Sequence, residues 1–114
     1  MAQYKIVALD MDGTLLNNKH EISERSAQTL KKLSEKGVMI VIATGRSSGS
    51  VSKYLTTALA QLAQEKVPMI VFNGSVCIIR DQESGEVEKV FSNALTMEAV
   101  RDLIRMTTEE NLVL

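Results

Sequence analysis

Ile6-Val7-Ala8-Leu9-Asp10-Met11-Asp12-Gly13-Thr14-Leu15 is the stretch on which the reading of the fold turns. Its first four residues are apolar without alternation, the pattern of a strand covered on both faces in a parallel sheet. Two aspartates follow at once. In open α/β sheets ligands bind beyond the carboxyl ends of the strands, so Asp10 and Asp12 stand where a site is expected. Two carboxylates this close repel each other unless a cation or a shared proton relieves them. Magnesium suits the first solution, because it takes hard oxygen ligands and commonly joins one or two carboxylates to phosphate and water. Gly13 lets the backbone turn sharply with no Cβ in the way. The alternative is a polar loop in which Asp12 only caps a turn, and the strand, the glycine and the threonine together favour the site.

Outward from this stretch, residues 38–43 and 69–72 are further apolar runs that read as strands covered on both faces. Residues 23–36 lie between the first two runs. Ser23 can cap a helix there, Ala27, Leu30 and Leu33 recur at helical spacing, and Gly37 ends it. Val51, Tyr54, Leu55, Ala58, Leu59 and Leu62 form a second stripe of period near 3.6, closed by Pro68. Strands alternating with helices predict an α/β fold, a Rossmann-like parallel sheet with βαβ crossovers. The pattern changes near Asn73, the candidate boundary. Val76, Ile78 and Ile79, a turn through Asp81, Ser84 and Gly85, and residues 87–91 read as an antiparallel hairpin. Thr96 then caps a helix carrying Val100, Leu103 and Ile104, and residues 112–114 open a further strand.

Composition narrows the class. Thirteen Lys and Arg against fourteen Asp and Glu in 114 residues leave no basic footprint for nucleic acid. No run approaches the roughly eighteen apolar residues of a membrane span. A single cysteine, Cys77, allows no intrachain disulfide, and the amino-terminal residues lack the pattern of a signal peptide, so a cytoplasmic location is expected.

The second informative stretch is Ala43-Thr44-Gly45-Arg46, followed by Ser47, Ser48, Gly49 and Ser50. It reaches the same edge of the sheet as the aspartates. A hydroxyl, a backbone with free amides and a helix N-terminus can together receive phosphate oxygens, although a loop of this kind taken alone is more often a turn with a cap.

With both stretches in view, residues 10–15 resemble the first motif of the haloacid dehalogenase superfamily, and Thr44 resembles its second. Ala43-Thr44-Gly45-Arg46 and Phe72-Asn73-Gly74 are similar to the Cof-type sugar-phosphatase branch, in which a C2-type α/β cap is inserted after the third core strand. The resemblance implies a partial core over residues 1–74 and the beginning of the cap over 75–114. It implies a magnesium-dependent phosphohydrolase acting on small phosphorylated metabolites. Asp10 would be the nucleophile and a metal ligand. Asp12 would be the acid-base group, with its backbone carbonyl on the metal. Thr44 and the Gly45 amide would hold the phosphoryl group, with Arg46, Asn73 and Gly74 helping to seat the substrate. The family's lysine and its second acidic pair lie after the cap, and no residue of this chain matches them. A truncated product or a cleavage fragment, inactive by itself, is therefore the expectation, with the apolar edge at residues 6–9 pairing with another copy or with a C-terminal fragment. The reading from a different class is a non-catalytic phosphate-binding or interaction module.

Overall fold

The computed structural model describes residues 3–111. A single five-stranded sheet organises them, in the spatial order β1-β2-β3-β4-β5. Strands β1 (Ile6–Leu9), β2 (Met39–Ala43) and β3 (Lys66–Val71) run parallel, with Leu9 beside Ile42 and Ala43 beside Ile70. Strands β4 (Val76–Asp81) and β5 (Val87–Ser92) form the expected antiparallel hairpin, and β4 also pairs with β3. The sheet therefore runs without a break past Gly74.

Helix α1 (Glu24–Glu35) begins where Ser23 accepts a hydrogen bond from the Ser26 amide, and it packs against β2. Helix α2 (Ser48–Leu55) is capped in the same way by Ser47. It is shorter than its apolar stripe. Thr56 and Thr57 turn their hydroxyls back onto the Lys53 carbonyl, and residues 56–61 continue as irregular turns. Threonine side chains that bond local backbone compete with the regular helix. Helix α3 (Met97–Glu109) starts at Thr96, whose Oγ1 accepts from the Ala99 amide. The expected strand at 112–114 lies outside the described residues.

One apolar core joins β2, β3, α1, α2 and the turn after β1, through Met11, Leu30, Ile40, Ile42, Val51, Leu55, Met69 and their neighbours. Each such side chain contributes roughly 1.5–3 kcal/mol when fully buried. Of the three apolar runs only β2 is covered on both faces. β1 forms an edge of the sheet and leaves Ile6 59% exposed, which corrects its reading as a strand covered on both faces and agrees with its reading as an exposed apolar edge. The third strand also starts earlier and stops sooner than expected. Pairing with β4 draws in Lys66 and Val67, while Phe72 departs from the strand with a left-handed backbone.

Pro68 has no amide to give, and the β2–β3 register starts only at Ile42 and Met69. The side chain of Gln64 serves the backbone of β2 below that point. Its Oε1 accepts from the Ile40 amide at 2.8 Å, and its Nε2 donates to the carbonyls of Ile40 (2.9 Å) and Lys66 (3.1 Å). Ile40 is fully buried. Gln64→Ala should therefore lower stability by about 1–3 kcal/mol, the cost of unpaired buried backbone groups. Urea unfolding reads this directly, and an unchanged midpoint would show that water replaces the side chain.

Candidate active site

The turn after β1 buries one residue between two exposed ones. Met11 is fully buried and Leu15 and Leu16 nearly so, whereas Asp10, Asp12, Gly13 and Thr14 face outward. The amides of Leu15 and Leu16 reach five residues back, to the carbonyls of Asp10 (3.2 Å) and Met11 (2.8 Å). Closing so wide a turn requires a left-handed residue, and Gly13 supplies it at φ 72°. Met11 thus pins the turn to the core and leaves both carboxylates at the surface. One oxygen of Asp10 also accepts from the Met11 amide at 2.7 Å, which fixes the orientation of the carboxylate.

Two further loops meet this turn. The Thr44 amide donates to the Ile70 carbonyl (2.8 Å), and its Oγ1 accepts from the Arg46 amide (3.1 Å). The amides of Phe72 and Asn73 donate to the carbonyls of Arg46 (3.0 Å) and Thr44 (3.3 Å), which stitches residues 44–46 to residues 72–73. Phe72 and Asn73 both lie in the left-handed region, at φ 51° and 54°. Asparagine tolerates that conformation, but for phenylalanine it costs about 1–3 kcal/mol and persists only where surrounding bonds impose it. Asn73 Oδ1 occupies the space over Gly45, where an added Cβ would come within 2.5 Å of it.

Asp10, Thr44, Gly45, Asn73 and Gly74, with Ala43 and Ile70, line one shallow depression of about 320 Å³. Five of the residues singled out in the sequence therefore share one surface. The other two, Asp12 and Arg46, are not part of its lining and face each other. Arg46 Nε donates to Asp12 Oδ2 and Arg46 Nη2 to Oδ1, both at 2.7 Å, a two-pronged ion pair. The guanidinium holds the Asp12 carboxyl below the usual aspartate range and raises the pKa of Arg46 in turn. Arg46 was expected to seat substrate, and its partner here is instead the acid-base candidate.

Three residues that the sequence reading did not place at the site surround the Asp12–Arg46 pair or brace its neighbours. His20 Nδ1 lies 3.7 Å from Asp12 Oδ1, Ser50 Oγ lies 3.4 Å from Arg46 Nη1, and the Tyr54 hydroxyl donates to the His20 carbonyl at 2.8 Å. The positive φ of His20, 57°, leaves no periodic signal in a sequence. The Asp12–Arg46 pair had one available clue: the register that sets Leu9 beside Ile42 brings residues just beyond the two strand ends together.

Hard-cation chemistry fits Asp10 and the backbone of Asp12 better than the Asp12 carboxylate, both of whose oxygens are taken by Arg46. Among the described residues no cluster of three or more acidic, histidine or cysteine side chains forms. No helix among them is long and apolar enough to cross a membrane.

A strand-end carboxylate, a hydroxyl loop on the neighbouring parallel strand and a third loop stitched to that one surround the depression. Residues 7–114 match the family model for haloacid dehalogenase-like hydrolases, and the chain belongs to that family. It is 39% identical over 84 residues to the Bacillus subtilis protein named "Putative phosphatase YxeH", a match covering 74% of this chain and 30% of the relative. It is 31% identical over 107 residues to 5-amino-6-(5-phospho-D-ribitylamino)uracil phosphatase YitU of the same organism, covering 93% of this chain and 36% of the relative. A haloacid dehalogenase-like hydrolase from Bacteroides thetaiotaomicron superposes with a TM-score of 0.74 at 30% identity, over 96% of this chain and 39% of that one. The chain thus spans about a third of the length of the relatives it matches.

Two measurements check the geometry. Arg46→Met should raise the Asp12 pKa toward the ordinary aspartate value, because the guanidinium that favours the charged form is gone. Carbon-detected NMR titration reads that change, and identical curves in both proteins would mean the pair does not form in solution. Gly45→Ala should cost about 1–3 kcal/mol through overpacking against Asn73, and Asn73→Gly should restore much of the loss. Thermal unfolding of the single and double variants compares them, and a Gly45→Ala protein as stable as wild type would contradict the contact.

Proposed function

We propose that this protein is a magnesium-dependent phosphohydrolase acting on small phosphate monoesters of the sugar-phosphate kind through an aspartyl-phosphate on Asp10. The observation that carries the reading is the meeting of the oriented Asp10 carboxylate with Thr44, Gly45 and Asn73 around one depression at the ends of parallel strands. Membership of a hydrolase family supports it. The substrate in the name of YitU, a phosphate ester of a ribityl chain, supports the substrate class.

In this reading the Asp10 oxygen not held by the Met11 amide attacks phosphorus as the bond to the ester oxygen breaks. Asp12 gives that leaving oxygen a proton. It then takes one from the water that displaces Asp10 and releases phosphate. Paired with Arg46, Asp12 is ionised, the form required for activating water. An incoming phosphate dianion competes for the same guanidinium, and loosening the pair lets Asp12 carry the proton needed in the first step. The Thr44 hydroxyl and the Gly45 amide receive phosphoryl oxygens. Magnesium, held by the Asp10 carboxylate and the Asp12 backbone carbonyl, would supply positive charge against those oxygens.

We also propose the division of the chain read from its sequence, a core part over 1–74 and the opening of a cap over 75–114, with the hairpin as the piece that ties the second part to the core sheet. The exposed edge of β1 is where we place self-association. The engagement of both Asp12 oxygens favours, as a second reading, a module that binds phosphate without hydrolysing it.

Phosphate release by the longer protein that contains this segment, from a panel of sugar phosphates with and without chelator, separates the two. The enzyme reading expects turnover that chelation abolishes and that Asp10→Asn eliminates. Asp12→Asn should slow it by about a hundred- to ten-thousand-fold. Turnover that survives chelation would remove magnesium from the scheme, and phosphate binding with no turnover on any ester would favour the binding module. Residues 1–114 alone should release no phosphate and should sediment as more than a monomer. A monomer with strong turnover would overturn that expectation.

A further inference from the structure

Asp12 is flanked by two residues, and both are fastened to helix α2. On one side stands Arg46, whose guanidinium grips both carboxylate oxygens and whose Nη1 lies 3.4 Å from Ser50 Oγ. On the other stands His20, with Nδ1 3.7 Å from Asp12 Oδ1, beyond direct hydrogen-bond length but in electrostatic reach. Ser50 and Tyr54 are four residues apart on α2 and share one face of it.

The loop that carries His20 is internally braced. Asn17 Oδ1 accepts from the amides of Lys19 (2.9 Å) and Glu21 (3.1 Å), the His20 amide donates to the Asn17 carbonyl (2.9 Å), and the Asn17 amide donates to the Glu21 carbonyl (2.9 Å). His20 itself is left-handed at φ 57°, a conformation a non-glycine residue holds only when its surroundings impose it. The bond that ties this loop to the body of the protein is the one from the Tyr54 hydroxyl to the His20 carbonyl, at 2.8 Å. The Tyr54 ring is buried, and the Lys53 ammonium stands 4.9 Å from its centroid. Its hydroxyl is therefore a fixed point rather than a searching one.

We infer that Tyr54 is a positioning residue for Asp12, acting through the His20 turn, so that α2 sets both neighbours of the carboxylate: Arg46 through Ser50 and His20 through Tyr54. The inference rests on the proposed acid-base role of Asp12. A helix capped by Ser47, just after the loop at residues 44–46, would then hold the acid-base group in register with the proposed phosphoryl pocket.

Tyr54→Phe removes one hydroxyl and keeps the buried ring. In the longer protein that contains this segment it should lower kcat on a small sugar phosphate by about three- to tenfold, what the loss of one hydrogen bond is worth, with KM unchanged. His20→Gly, which suits the left-handed backbone, should produce a similar fall, and combining the two should add little. In an Asp12→Asn background Tyr54→Phe should have no further effect. A wild-type rate in either single variant, or an equal loss from Tyr54→Phe with and without Asp12, would overturn the inference. The carboxyl carbon resonance of Asp12 gives a readout that needs no activity: it should move in Tyr54→Phe and in His20→Gly. If that longer protein hydrolyses no ester, the enzyme reading fails, and this resonance still decides the positioning. An unmoved signal would refute it.

Discussion

Strand β2 lies between two parallel neighbours, and its central residues are closed to water on both faces. Every backbone group along it must find a partner within the protein, because a buried amide or carbonyl left unpaired costs about 1–3 kcal/mol. β1 satisfies one edge along its whole length, and β3 satisfies the other only near Ile42 and Ala43. Gln64 covers the part β3 does not reach. With β2 so constrained, the carboxyl ends of the three strands fall side by side. The loops leaving them, at residues 10–14, 44–46 and 72–74, have little freedom over where they go.

Those loops then meet an electrostatic constraint. Two aspartates separated by one residue cannot both sit unaccompanied, and each has found a different companion. Asp10 leans on a backbone amide, a partner that orients it without setting a counter-charge beside it. Asp12 takes a full guanidinium. Local partners divide the pair into one carboxylate open toward the depression and one held at its margin. The same division fits their proposed roles, since a nucleophile must reach phosphorus, whereas a proton carrier needs only to reach the leaving oxygen.

How much of this could be read from the sequence depended on the range of the interaction. The strand at 6–9, the caps at Ser23 and Thr96 and the hairpin turn at Asp81 are governed by residues within one or two turns of the chain, and all lie where their patterns put them. The candidate site residues were legible for a related reason: in a parallel sheet, being the first polar residue after a buried strand is already a spatial coordinate. What escaped depends on contacts across the sheet or between loops. The early start of β3 follows from its antiparallel partner β4, and the shortened α2 from where two threonine hydroxyls happen to turn. The Arg46–Asp12 pair spans 34 positions, and periodicity within either segment carries no trace of it.

The two halves of the site are made of different material, and this bears on how each can change. The depression consists of strand-end backbone, one buried hydroxyl and an asparagine wedged over a glycine. Its geometry follows from the sheet register, and few substitutions can alter it without disturbing the fold. The surroundings of Asp12 consist of side chains: a guanidinium, an imidazole and the serine and tyrosine that hold them. None of these belongs to the sheet, and only Tyr54 belongs to the core. The proposed phosphate recognition is therefore the rigid property of this arrangement. The proposed handling of the leaving group, which would depend on where Asp12 stands, is the property that single side-chain changes can tune.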